Sequence, residues 1–167
     1  GNKVFGGAIL SKSDYSTITI GVNRETENPI FHGEISTLNK FFAENKSRST
    51  DDLLFLSTHE PCPMCLSAIT WAGFDTIYYF FSYQETKKTF KIAHDLDILS
   101  EVFGRSDGKY IKENHFWKCY AMKELISNLE PESKDSLLEI TGRISSLYGS
   151  LSAEYPSKKN DNSIPLS

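Results

Sequence analysis

Cysteine is scarce in this 167-residue chain. Its three cysteines are an odd number, which excludes a paired disulfide framework and fits a reduced, intracellular compartment. No apolar run reaches membrane-spanning length and no secretory pattern opens the chain, so the cytoplasm is the expected location and a membrane partner is not expected. Basic charge is also short: 18 Lys and Arg stand against 22 Asp and Glu, a net charge of −4. That balance argues against a broad nucleic-acid-binding surface, although a local patch would escape the average. There is no internal repeat and no second-domain linker. A chain of this length holds one domain with a real hydrophobic core.

What is present alternates between strand and helix signals. Val4 to Leu10 reads as a buried strand, Ser11 to Ser16 as a polar turn, and Thr17 to Val22 as a second strand closing a hairpin. Asn23 to Pro29 is a loop. From His32 to Phe42, Ile35, Leu38 and Phe42 share one helical face. Leu53 to Leu56 is a short apolar run suited to a strand buried on both sides. Cys62 to Ala72 then predicts a helix that stops at Gly73, and Thr76 to Phe81 another strand, so the two strands are joined by a parallel crossover. Beyond Ser82 the spacing predicts helices over Thr86 to Ala93, Asp95 to Phe103, Asn114 to Asn128 and Ser136 to Leu151. Residues 1–154 form the expected domain, and Tyr155 to Ser167 reads as a polar, mobile tail.

Two short motifs carry the chemistry. His32-Gly33-Glu34 offers an imidazole with a carboxylate two positions on, and Pro61-Cys62-Pro63-Met64-Cys65 offers two thiolates one helical turn apart. His32, Cys62 and Cys65 make a three-ligand Zn2+ site that leaves a fourth position for water. Zinc brings the ionisation of such a water from about 15.7 to roughly 7. Glu34 is then placed as the catalytic residue that takes the water proton and passes it on. Two rival readings stand beside this one: Glu34 as a fourth ligand, or a closed structural zinc knot, for which His59 is the sequence-near candidate. Cys119 reads as a packed, inert thiol.

On these residues the chain resembles the cytidine and deoxycytidylate deaminase superfamily, nearest its nucleobase deaminases. The similarity covers roughly Phe5 to Phe81 and includes Phe5-Gly6-Gly7, Asn23-Arg24, His32-Gly33-Glu34 and Thr58-His59-Glu60-Pro61-Cys62-Pro63-Met64-Cys65. His32 to Leu38 looks like fungal cytosine deaminase, whereas Glu60 to Leu66 with Trp71-Ala72-Gly73 looks like bacterial guanine deaminases. The resemblance implies a three-layer α/β/α fold with a mixed central sheet, catalytic zinc and a homodimer. It further implies removal of an exocyclic amine from a free nucleobase or small nucleoside, guanine or cytosine first. The family's usual helix before the first strand has no counterpart here, which predicts a sheet face less covered than in relatives.

The resemblance gives Asn23 and the backbone at Gly33 a substrate-binding role, with the backbone near Cys62 contributing to the pocket. Asn23 also suits a turn, and Gly6-Gly7 a bend or close strand packing. Phe81 and Tyr83 are candidates for a stacking wall, with core packing as their alternative. His94, Asp95, His115, Phe116 and Trp117 divide between a substrate lid and ordinary packing. Two competing functions remain: a tRNA adenosine deaminase, and a noncatalytic zinc-stabilised interaction protein.

Overall fold

The computed structural model describes residues 1–159 and 164–166. Strand β1 (Gly6–Ser11) turns back through residues 12–16 into β2 (Thr17–Val22), which is the predicted hairpin. Helix α1 (Gly33–Glu44) leads to β3 (Leu53–His59), and α2 (Pro63–Trp71) carries the chain across to β4 (Thr76–Phe81). Helices α3 (Tyr83–Phe90) and α4 (His94–Glu101) and a short 3-10 turn precede β5 (Lys118–Ala121). Helices α5 (Met122–Ser127) and α6 (Pro131–Lys159) complete the described chain.

The sheet runs β2-β1-β3-β4-β5. Strand β1 is antiparallel to β2 and β3, while β3, β4 and β5 are mutually parallel neighbours, so the sheet is mixed and the fold α/β, as expected. The β3–α2–β4 crossover is the one the apolar runs predict, and its register sets Phe55 beside Ile77.

Two apolar clusters fix the layers. One joins Ile9, Phe55, Ile77 and Tyr79 of the sheet to Leu38 and Phe41 of α1 and Leu66 and Ile69 of α2. The other joins Phe80 and Phe81 to Phe90, Ile92 and Tyr155, with Ile144 and Tyr148 of α6 packed against them. Tyr79 and Phe80 are adjacent in β4 and therefore face opposite sides of the sheet. Helices thus cover both faces, but unevenly. Ile20 and Val22, of one parity on the outer strand β2, are 58% and 59% exposed.

The largest correction concerns Asn114 to Asn128, which is not one helix. Asn114 accepts from the backbone of Phe116 and Trp117 in a turn, and Lys118–Ala121 then pairs with Thr76–Tyr79 as β5. Trp117 and Cys119 are buried and Lys118 exposed, a period of two that a helical window averages away. The predicted Thr86 helix starts earlier, because Ser82 and Glu85 form a capping box. It ends at Phe90, and Lys91 takes a left-handed conformation (φ 58°). The last helix is longer at both ends than Ser136 to Leu151, starting at Pro131, a favoured first-turn residue. The mobile-tail reading of 155–167 falls partly on residues 160–163 and 167, outside the described ones. Of the remainder, α6 continues through Lys159, and Tyr155 and Ile164 are buried.

Candidate metal centre

Two helix starts meet at the C-terminal edge of β3. His32 is the N-cap of α1 and Cys62 the N-cap of α2, each in extended backbone, and neither spends its side chain on capping. Both side chains are therefore free to face a common point. Pro63 opens α2, where its missing amide hydrogen costs nothing, and Cys65 follows one turn later on the same helix.

His32 Nδ1 lies 3.6 Å from Cys62 Sγ and 3.7 Å from Cys65 Sγ. All three donor atoms lie within 4.8 Å of one another, and among the described residues they form the only such group. Zinc at its usual bond lengths to nitrogen and sulfur would set tetrahedral N···S edges of about 3.6 Å. The two N···S separations thus match a tetrahedral zinc site, and two sulfurs with one nitrogen suit that metal. His59 lies outside this group.

Glu34 is on the first turn of α1 and is 6% exposed. Ser57 Oγ of β3 donates to its Oε1 (2.8 Å), and Cys65 Sγ stands 3.3 Å from its Oε2. Burial, and then the charge of Cys62, push its carboxyl above the ordinary range, partly offset by the Ser57 hydrogen bond. Cys65 donating to Cys62 holds the Cys62 thiol well down, whereas burial holds that of Cys65 up. Burial works against charge on His32. The hydrogen bond and charge of Cys62, with Glu34 and Glu25, outweigh it and lift His32 to about 9. A field that favours a proton there favours a cation equally.

Gly33 sits where helix and sheet touch. A Cβ at this position would come within 2.6 Å of Gly6 Cα, so only glycine lets α1 begin against the first residue of β1. Its amide donates to Asn23 Oδ1 (2.5 Å), and Asn23 Nδ2 in turn donates to Glu25 Oε2 (2.9 Å). Asn23 is 3% exposed, so it ties the loop before α1 to the helix start.

The start of α2 is held differently. Glu60 is buried; its Oε2 accepts from the Tyr83 amide (3.0 Å) and its Oε1 from the Tyr110 hydroxyl (2.9 Å), with Lys112 Nζ 3.0 Å away. The Tyr83 hydroxyl donates to the Pro61 carbonyl.

A cavity of about 410 Å³ opens onto the metal centre, within the range of small-molecule sites. Ile30, Met64, Ile98 and Phe103 give it apolar walls, and His32, Glu34, Glu60 and Asp95 give it polar ones. Burial, then the charge of Cys62, push the Asp95 carboxyl up to about 7. His94 also lines the cavity. Trp117 packs in the core and donates from Nε1 to Thr70 (2.7 Å), while Phe116, 61% exposed, meets the His115 ring edge-on outside. Asn23, Gly33, Phe81 and Tyr83 are not among the cavity walls. The first two order the α1 start, Phe81 belongs to the second apolar cluster, and Tyr83 braces Pro61.

His59 also has a packed role. Its ring lies 3.8 Å from that of Phe5 and 4.9 Å from those of Phe81 and Phe90, and its Nδ1 is 3.0 Å from Thr58 Oγ1. Burial, then Lys123, hold its pKa down to about 3, so this histidine is neutral.

Residues that sequence reasoning passed over are Lys3 and Glu25, a buried ion pair beside His32, and the segment 164–166, whose Ile164, Pro165 and Leu166 line the cavity. No local pattern marks either: Lys3 and Glu25 are 22 positions apart, and residues 164–166 lie in a stretch of polar composition.

Residues 2–81 match the family model for the cytidine and deoxycytidylate deaminase zinc-binding region. Guanine deaminase of Bacillus subtilis (strain 168) is 35% identical over 75 residues, which are 44% of this chain and 47% of that protein. The chain thus spans about half the length of the curated relative it matches. The X-ray structure of guanine deaminase from Bacillus subtilis is 25% identical, with a TM-score of 0.52 over 74% of both chains. A guanine deaminase from Nitrosomonas europaea shares the fold at 16% identity, with a TM-score of 0.50 over 87% of this chain and 72% of that one.

Proposed function

Because residues 2–81 match the family model for the cytidine and deoxycytidylate deaminase zinc-binding region, we propose that this chain is a zinc-dependent hydrolase that deaminates a free nucleobase or small nucleoside, guanine before cytosine. One observation carries the reading. Glu34 is buried at the edge of the His32-Cys62-Cys65 group and faces the cavity without belonging to that group. A closed structural zinc site would need a fourth protein ligand, whereas the donors grouped among the described residues are His32, Cys62 and Cys65.

Zinc held by His32, Cys62 and Cys65 would supply Lewis acidity and bring the ionisation of water to about 7. The chain does the rest. Ser57 fixes one oxygen of Glu34, leaving the other to accept a proton from water and deliver it to a ring nitrogen. Its raised pKa suits a group that must both take and return a proton near neutrality. The water oxygen adds to the amine-bearing carbon; Glu34 then takes the remaining hydroxyl proton and passes it to the amine, so that the carbon–nitrogen bond breaks, a carbonyl forms and ammonia leaves. The apolar walls offer surfaces for the faces of a flat ring. Asp95 offers a hydrogen-bond partner for the ring's polar edge.

Guanine is placed first because the relatives named above are guanine deaminases. A homodimer, which rests on the family resemblance, and a cytoplasmic location, which rests on the odd and sparse cysteines, belong to the same proposal. The test is an ammonia-release panel with zinc-replete protein and guanine, cytosine, adenine and their nucleosides. Ammonia from guanine, lost on chelation and regained with zinc, is expected. Release from cytosine or adenine alone would move the substrate, and release from none would sink the enzymatic reading.

A further inference from the structure

Beside the metal centre, at the Nε2 side of His32, the chain buries a charged pair that also lines the cavity. Glu25 is 2% exposed and Lys3 8%. Lys3 Nζ donates to Glu25 Oε1 (2.6 Å) and the Lys3 amide to Oε2 (3.2 Å), which also accepts from Asn23 Nδ2 (2.9 Å). Burying two ions is costly, and such a pair is poor evidence for stability by itself. Its position gives it a purpose.

His32 turns Nδ1 toward both sulfurs, and its other nitrogen, Nε2, lies 3.8 Å from Glu25 Oε1. That separation is within ion-pair range and beyond a hydrogen bond. Metal-ligating histidines usually give their second N–H to a carboxylate, which sets tautomer and ring orientation and makes the ligating nitrogen more basic. Glu25 stands outside the donor group, so it does not compete for the metal. Through Asn23 it also reaches the Gly33 amide, one residue from His32 and one from Glu34.

We propose that Glu25 is the positioning residue of the metal centre: it orients His32 through Nε2 and the α1 start through Asn23, and Lys3 fixes its carboxylate in place. This rests on the zinc reading above. Lys3 Nζ also donates to the Leu166 carbonyl (2.8 Å), so the same ammonium anchors residues 164–166 at the cavity.

The experiment compares wild type, Glu25→Gln, the charge-compensated double variant Lys3→Met/Glu25→Gln, and Cys62→Ser. Zinc affinity is measured by chelator competition, and the absorption spectrum of the cobalt(II)-substituted site is recorded. Glu25→Gln and the double variant are both expected to hold zinc about ten- to a hundredfold more weakly than wild type, with shifted cobalt bands. The double variant removes both charges, so a purely structural role predicts that it recovers wild-type affinity and spectrum along with its fold. That recovery, or wild-type affinity in Glu25→Gln, overturns the proposal while the zinc reading stands. Wild-type protein that binds zinc no better than Cys62→Ser overturns both. Should Glu25→Gln alone fail to fold, the double variant carries the comparison.

Discussion

The two helix starts that build the metal centre do the same task with different physics. Each supplies a ligand from an extended N-cap. The α1 start is held by charge and by the absence of a side chain: Lys3 and Glu25 form a buried ion pair, Asn23 links them to the helix, and Gly33 lets the helix touch β1. The α2 start is held by rigidity and packing. Two prolines flank Cys62, Tyr83 clasps Pro61, and Glu60 anchors the turn to Tyr110 and Lys112. The lesson is that the histidine side tolerates little steric change, whereas the cysteine side has several independent braces.

The contrast can be broken first at Gly33. Its alanine variant has no room, because the atoms it would strike are backbone atoms of Gly6. Gly33→Ala is expected to cost about 3 kcal/mol, the upper end for overpacking, and to displace His32 so that zinc uptake falls. Thermal unfolding with metal analysis checks this, and an alanine variant with wild-type stability and metal content would end the claim that contact at Gly33 positions the histidine. A smaller effect should follow at the other start. Tyr83→Phe removes one buried donor to the Pro61 carbonyl, a loss of about 1 kcal/mol, and should leave zinc content unchanged because the prolines and Glu60 remain. Loss of zinc from that variant would show the two starts to be equally fragile.

The same contrast explains what could be read from the sequence. The α2 side is local: Pro61-Cys62-Pro63-Met64-Cys65 contains both ligands and much of the rigidity, and the apolar runs on either side give the crossover directly. His32 and Glu34 are equally legible as a motif. Their supports are not, since Lys3 and Ser57 reach the site from separate segments and carry no local pattern that marks them. Asn23 illustrates the limit, because turn and base contact fit its neighbours equally well and only the fold shows both ends of its amide engaged. Strand β5 was hidden for another reason. It is four residues long and joined to a short helix, so an alternation over Trp117, Lys118 and Cys119 is too brief to outweigh a helical window.

The central claim is that Glu34 moves protons at a metal it does not hold. The direct measurement is ammonia release and zinc content, taken together, for wild type and Glu34→Gln with the base the panel identifies. The account predicts turnover lower by about 10²- to 10⁴-fold, with zinc content and affinity essentially those of wild type. Wild-type turnover in the glutamine variant, or a loss of zinc equal to that of a cysteine variant, would contradict it.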